Sequence, residues 1–94
     1  MTKFEVKLSH PFVKILKDFN HQIVREIIQS LKYLEDSPLP TGSKRIKKIK
    51  GIKPSLYRLR IGDYRVLYKI QGREVVVLTV VDRKELEREL KKFL

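Results

Sequence analysis

The sequence predicts an α+β fold: a mostly antiparallel four-stranded sheet in the order β-α-α-β-β-β-α, with an N-terminal helical hairpin packed on it. Three observations lead there. Phe4, Val6 and Leu8 alternate with Lys3, Glu5 and Lys7, the period of a half-buried strand. Apolar residues then recur at helical spacing from Phe12 to Leu34. Last, two alternating runs at 56–61 and 64–70 flank Gly62-Asp63, and a third apolar run follows at 75–81.

Strand one is expected over residues 3–8. Ser9 or His10 can cap a helix with Pro11 in its first turn and Phe12, Ile15, Leu16 and Phe19 on one side. Asn20 offers a second cap, after which Ile23, Val24, Ile27, Ile28, Leu31 and Leu34 form a wide apolar stripe. The hairpin must stop at Ser37-Pro38-Leu39-Pro40, where two prolines forbid continuation. Residues 41–54 read as a basic connection that can hold a short strand near 45–49, anchored by Ile46 and Ile49. Gly62-Asp63 suits a tight hairpin turn, and Gln71-Gly72-Arg73 a second one. The run 75–81 is apolar on both parities, as in a central strand covered on both faces. Asp82-Arg83-Lys84-Glu85 resembles a capping box that opens a last helix, with Leu86, Leu90, Phe93 and Leu94 on one side.

Ninety-four residues suit one domain, residues 1–94, and leave no room for a separate substrate lobe. There is no cysteine and there are only two histidines, His10 and His21, so a thiolate nucleophile is excluded and no metal site or cofactor is expected. No apolar run reaches the roughly 18 residues of a membrane span, and the expected location is cytoplasmic. Few Gln and Asn beside many Lys, Glu, Arg, Ile and Val fit a thermophile's usage. No Gly-x-Ser-x-Gly or phosphate-cradling glycine loop occurs, which argues against acyl transfer and NTP hydrolysis.

The net charge of +11 is concentrated: residues 44–60 carry eight bases and no acid. Lys44, Arg45, Lys47, Lys48, Lys50 and Lys53 are the candidate anion-binding residues of this stripe, and RNA-binding residues on the resemblance given below. A tight turn at Gly62-Asp63 sets Arg60 opposite Arg65 and keeps Arg58 on the same face, while Tyr57, Leu59, Ile61, Tyr64, Val66 and Tyr68 collect on the other. Like charges across a strand pair repel, so this face calls for an anion or for carboxylates arriving from elsewhere. Guanidinium groups grip phosphate through paired hydrogen bonds and keep their proton. The alternative is an ordinary solvated cationic face.

The run Ile49-Lys50-Gly51 with Leu56-Tyr57-Arg58-Leu59-Arg60-Ile61-Gly62-Asp63-Tyr64-Arg65-Val66-Leu67-Tyr68 resembles the signature hairpin of the RelE/ParE toxin superfamily, most of all its archaeal RelE members. The resemblance implies a ribosome-dependent mRNA endoribonuclease of a type II toxin–antitoxin module. It would act without metal, through attack of a ribose 2′-hydroxyl on the adjacent phosphodiester. It implies Arg58, Arg60, Arg65 and Arg83 as the catalytic residues, Arg83 falling where many members carry a Gly-His-Arg or Gly-Lys-Arg segment. It implies an acidic antitoxin, the ribosome and mRNA as partners. Some members have lysines in the first hairpin strand, and some a tyrosine near the C-terminus where this chain reads Glu85-Leu86-Glu87. The alternatives are a ParE-like inhibitor of DNA gyrase and a non-catalytic RNA- or ribosome-binding protein.

Overall fold

In the computed structural model, which describes residues 3–94, seven strands and helices form ahead of the C-terminal segment, each where local chemistry starts and stops it. β1 (Glu5–Leu8) is followed by α1 (His10–Leu16), whose cap is Ser9: its Oγ accepts from the Phe12 amide at 3.3 Å. Asn20 caps α2 (His21–Tyr33), with Oδ1 accepting from the Ile23 amide at 2.9 Å. The basic connection does contain a strand, β2 (Ile46–Ile49). β3 (Leu56–Ile61), β4 (Tyr64–Gln71) and β5 (Glu74–Asp82) complete the sheet. Met1 and Thr2 lie outside the described residues.

The sheet departs from the expected one in number and direction of strands. It has five strands in the order β1-β5-β4-β3-β2. β1 runs parallel to β5, with Val6 beside Val75, so the sheet is mixed, with antiparallel pairing only among β2 to β5. The parallel contact follows from the crossover through α1 and α2, which returns the chain to the far edge. The helices also differ from a hairpin: each finds its main contact in the sheet, α1 on β5 and α2 on β3. Four residues, 17–20, separate them, and each apolar stripe is spent on strands.

One face of the sheet carries the core. Phe12, Ile27, Leu31 and Leu34 from the helices meet Ile46, Leu59, Ile61, Val66, Tyr68, Val75, Val77 and Val80. Tyr68 is fully buried and its hydroxyl donates to the Pro38 carbonyl at 2.6 Å, tying the connection after α2 to β4. The outer face holds a smaller cluster: Ile49, Ile52 and Leu56 packed by Leu78, Leu90 and Phe93.

Between these faces β5 changes phase. Leu67 pairs with Thr79 but Tyr68 pairs with Val77, which leaves Leu78 as the extra residue of a bulge. Its carbonyl accepts from the Ser9 hydroxyl at 3.0 Å. The bulge explains the apolar run on both parities: Val75 and Val77 face the core before it, Val80 after it, and Leu78 joins the outer cluster.

The C-terminal segment is looser than a single capped helix. Asp82 accepts from the Lys84 amide at 2.8 Å and opens a 3₁₀ turn, Arg83–Glu85; α3 (Leu86–Leu90) and a second 3₁₀ turn, Lys91–Phe93, follow. Leu90 and Phe93 pack as expected, whereas Leu94 is 85% exposed and belongs to no apolar side. Two consecutive lysines, Lys91 and Lys92, leave the last turn little apolar surface to bury.

Candidate functional site

The β3–β4 hairpin sets the site. Gly62 adopts φ +56°, a conformation that side chains with a Cβ rarely take, and closes the two-residue turn with Asp63. The register is the expected one: Arg60 faces Arg65 and Arg58 faces Leu67. Leu59, Ile61, Val66 and Tyr68 enter the core, so Arg58, Arg60 and Arg65 project from the outer face. The C-terminal segment covers another part of that face through Leu90 and Phe93 on Leu56 and Leu78. The arginine end stays open.

Arg65 is the most constrained of the three. Its Nη1 donates to the Gly62 and Tyr64 carbonyls, both at 2.9 Å, which pins the guanidinium to the turn. Its Nε is buried and has no hydrogen-bond partner. Burial pushes its pKa below the usual guanidinium value, and Arg58, Arg60 and Arg83 push it further in the same direction. A donor left unpaired among like charges costs the folded state free energy that an anion would restore.

Six cationic residues, Lys44, Arg45, Lys47, Arg58, Arg60 and Arg65, line one cavity of about 150 Å³. That is several times the ~30 Å³ share of one water molecule, room for a phosphodiester group. No carboxylate lines it. Asp63 instead pairs with Arg83, Oδ1 to Nε at 3.8 Å, while the Arg83 amide donates to the Asp63 carbonyl at 2.8 Å. Both side chains of this pair are more than half exposed, so it orients Arg83 more than it stabilises the fold. The β5 bulge matters here, since it brings Val81 opposite Arg65 and thereby places the start of the C-terminal segment at the arginine end.

The candidate residues therefore separate into groups. Arg58, Arg60 and Arg65 converge with Lys44, Arg45 and Lys47, and Arg83 stands beside them, held by Asp63. Lys48, Lys50 and Lys53 line a different cavity, of about 710 Å³, with Phe93 and Leu94. Period two in β2 sends Lys47 and Lys48 to opposite sides, which divides the basic stripe. Arg45 is engaged within the fold: Nε donates to the Arg60 carbonyl at 3.1 Å, Nη2 donates to Ser30 Oγ at 2.9 Å, and its own carbonyl accepts from the Arg60 amide. Sequence reasoning missed Ser30 and its neighbours on α2, Glu26 and Gln29, which adjoin this cluster. Their i, i+3, i+4 spacing was visible; the strand they face was not. Among the described residues, no group of three or more His, Cys, Asp or Glu is placed to hold a metal ion, and no helix is long and apolar enough to cross a membrane.

The family model for the ParE toxin of type II toxin–antitoxin systems matches residues 6–87. The chain belongs to the ParE toxin family. The toxin is 29% identical over 84 residues to a candidate toxin, RelE1, of Methanocaldococcus jannaschii, an alignment covering 88% of this chain and 92% of that one. Its fold matches a chain of the archaeal RelE–RelB complex of Pyrococcus horikoshii with a TM-score of 0.74 at 28% identity, covering 87% of the toxin and 97% of that chain. It likewise matches a chain of the RelB–RelE antitoxin–toxin complex of Methanococcus jannaschii with a TM-score of 0.70 at 28% identity, covering 88% and 96%. These likenesses make it a RelE-type toxin of a toxin–antitoxin system. The matched span contains every one of Arg58, Arg60, Arg65 and Arg83.

Proposed function

We propose that the toxin, acting as one domain over residues 1–94 in the cytoplasm, is an endoribonuclease that cuts mRNA on the ribosome without a metal ion. The observation that carries this reading is the all-cationic cavity lined by Arg58, Arg60 and Arg65 together with Lys44, Arg45 and Lys47. In the reaction, the ribose 2′-oxygen forms a bond to phosphorus as the bond from phosphorus to the 5′-oxygen breaks. The products are a cyclic 2′,3′-phosphate and a 5′-hydroxyl. The proton of the 2′-hydroxyl goes to solvent and the leaving oxygen takes one from solvent. Negative charge grows on the non-bridging oxygens in between, and preorganised guanidinium donors stabilise that charge more than they stabilise the ground state. Arg65 turns its guanidinium toward one oxygen, and Arg58 and Arg60 approach from the neighbouring strand. Arg83 adds charge at the rim. Lys44 and Lys47 hold the flanking backbone.

Mapping mRNA ends on translating ribosomes, with wild-type toxin and with Arg65→Ala, tests the reading. New ends that depend on both translation and Arg65 are expected. A second reading, poisoning of DNA gyrase, is favoured by the name of the matching family, so a supercoiling assay belongs beside the first. Loss of supercoiling with intact mRNA would replace nuclease by gyrase inhibitor.

An acidic antitoxin is the proposed partner, supported by the toxin–antitoxin complexes among the structural relatives and by the +11 charge. Co-expression with the adjacent gene should give a tight complex; recovery of free toxin alone at low salt would contradict it.

A further inference from the structure

A second cavity, of about 490 Å³, lies between α2 and the end of β3 and shares a wall with the cationic one, since Arg45 and Arg60 line both. Its other polar lining is of a different kind: the Glu26 carboxylate, the Gln29 amide and the Ser30 hydroxyl. Glu26, Gln29 and Ser30 stand at i, i+3 and i+4 on one side of α2, Glu26 and Gln29 exposed and Ser30 at the border of the face that buries Ile27 and Leu31. Arg45 fixes the distance between the two walls by bonding Ser30 on α2 and the Arg60 carbonyl on β3. Glu26 is the one acid lining either cavity, and it makes no ion pair among the described residues.

A carboxylate there repels a phosphate and attracts N–H donors, so the moiety that sits in this cleft while its phosphate occupies the cationic cavity must be uncharged and donor-bearing. Guanine is the one common base that offers two adjacent donors, N1–H and the N2 amine, matching the two oxygens of a carboxylate. Adenine and cytosine place a ring acceptor beside their amine, and uracil sets its single donor between two carbonyls. Single-stranded RNA is read in this way, by hydrogen bonds to the Watson–Crick edges of splayed bases.

We propose that the cleft between α2 and β3 is a nucleobase subsite selective for guanine, with Glu26 reading the base edge and Gln29 beside it. This rests on the reading of the cationic cavity as an RNA phosphate site. Arg45 is then a positioning residue that holds the wall between base and phosphate.

The test is binding of five-nucleotide RNAs, adenosine throughout except for guanosine, cytidine, uridine or adenosine at the centre, followed by fluorescence anisotropy. Wild-type toxin should bind the guanosine-centred RNA about tenfold more tightly than the others, within what one good two-bond base contact gives. Glu26→Gln and Glu26→Ala should bring that ratio close to one. Glu87→Gln, which removes the same charge from the exposed side of α3, should keep it. Four RNAs bound equally by wild type, with affinity falling as salt rises, would overturn the subsite and leave the phosphate site standing. A ratio that survives in Glu26→Ala would also overturn it. No binding of any RNA would remove both.

Discussion

Arg65→Ala takes away a guanidinium that is doubly bonded to the turn and yet leaves one buried donor unused. Loss of one preorganised donor from a developing anion costs about 2.7–4 kcal/mol, or roughly 10²–10³ in rate. The two lost hydrogen bonds, about 0.5–1.5 kcal/mol each, are offset by relief of the unpaired Nε and of repulsion from Arg58, Arg60 and Arg83. The melting temperature should therefore stay within about 5 °C of the parent's while cleavage is lost, given about 4–8 °C per kcal/mol in a domain of this size. Arg65→Lys keeps charge but not the fork and should recover only part of the rate. An unfolded Arg65→Ala, or one that cleaves at the parental rate, would sink the assignment. The side chains around the cationic cavity also fix a pH dependence. No carboxylate or imidazole lines that cavity, so it offers no ordinary general base for the 2′-hydroxyl proton. Single-turnover cleavage should quicken about tenfold per pH unit between roughly pH 6 and 8.5, because hydroxide must act as the base. A bell-shaped profile would point to a titrating residue outside this set. At this scale the three arginines were legible because strand register is arithmetic once the turn is placed. The engagement of Arg45 with Ser30 was not, because it depends on α2 meeting the residue just before β2, 15 positions further along the chain.

Elements are where the sequence misleads in instructive ways. β2 was hard to see because both its apolar residues are buried while Lys47 and Lys48 between them are exposed, a pattern that alternation does not describe. β1 was legible as a strand, but its direction relative to β5 was not, since parallel pairing is decided by a crossover rather than by any local signal. The bulge at Leu78 was hidden inside a run of valines whose phase change resembles simple hydrophobicity. By contrast both helix caps and the Gly62-Asp63 turn were readable, each requiring one residue type at one place. The bond from Tyr68 to Pro38 makes a prediction for this scale. Burial raises the Tyr68 hydroxyl above the usual phenol pKa, so it remains a donor at any working pH. Tyr68→Phe leaves the Pro38 carbonyl without that donor and should cost about 1–3 kcal/mol, seen as a lower denaturation midpoint with an unchanged m-value. An unchanged midpoint would show that the link between β4 and the loop after α2 carries no stability.

For the whole molecule, charge was the most legible property and its spatial division the least. The +11 surplus suits a polyanionic partner, but the stripe from Lys44 to Lys53 divides between two cavities. Salt dependence counts the contacts that survive this division. If Arg58, Arg60, Arg65 and one lysine of the 44–47 group each meet a phosphate, log K for single-stranded RNA should fall against log salt with a slope of roughly −3, at about −0.7 per contact. Adding Lys48, Lys50 and Lys53 would steepen it to roughly −5, and those three substituted together should return it to the shallower value. A slope near zero would dismiss phosphate binding by either group.

The partnership of β1 with β5 also dictates an order of events during synthesis. Val6 is made early in the domain, yet its neighbour Val75 is made almost seventy residues later, so the edge strand waits for β5. The arginine hairpin is under the same rule, since β4 gains its second neighbour only when β5 arrives and Arg83 is the residue after that strand. Contacts this distant in sequence slow the approach to the native state. The arginine site of a growing chain thus assembles only after β5 has been made, and that delay is an interval in which a partner made alongside it could arrive.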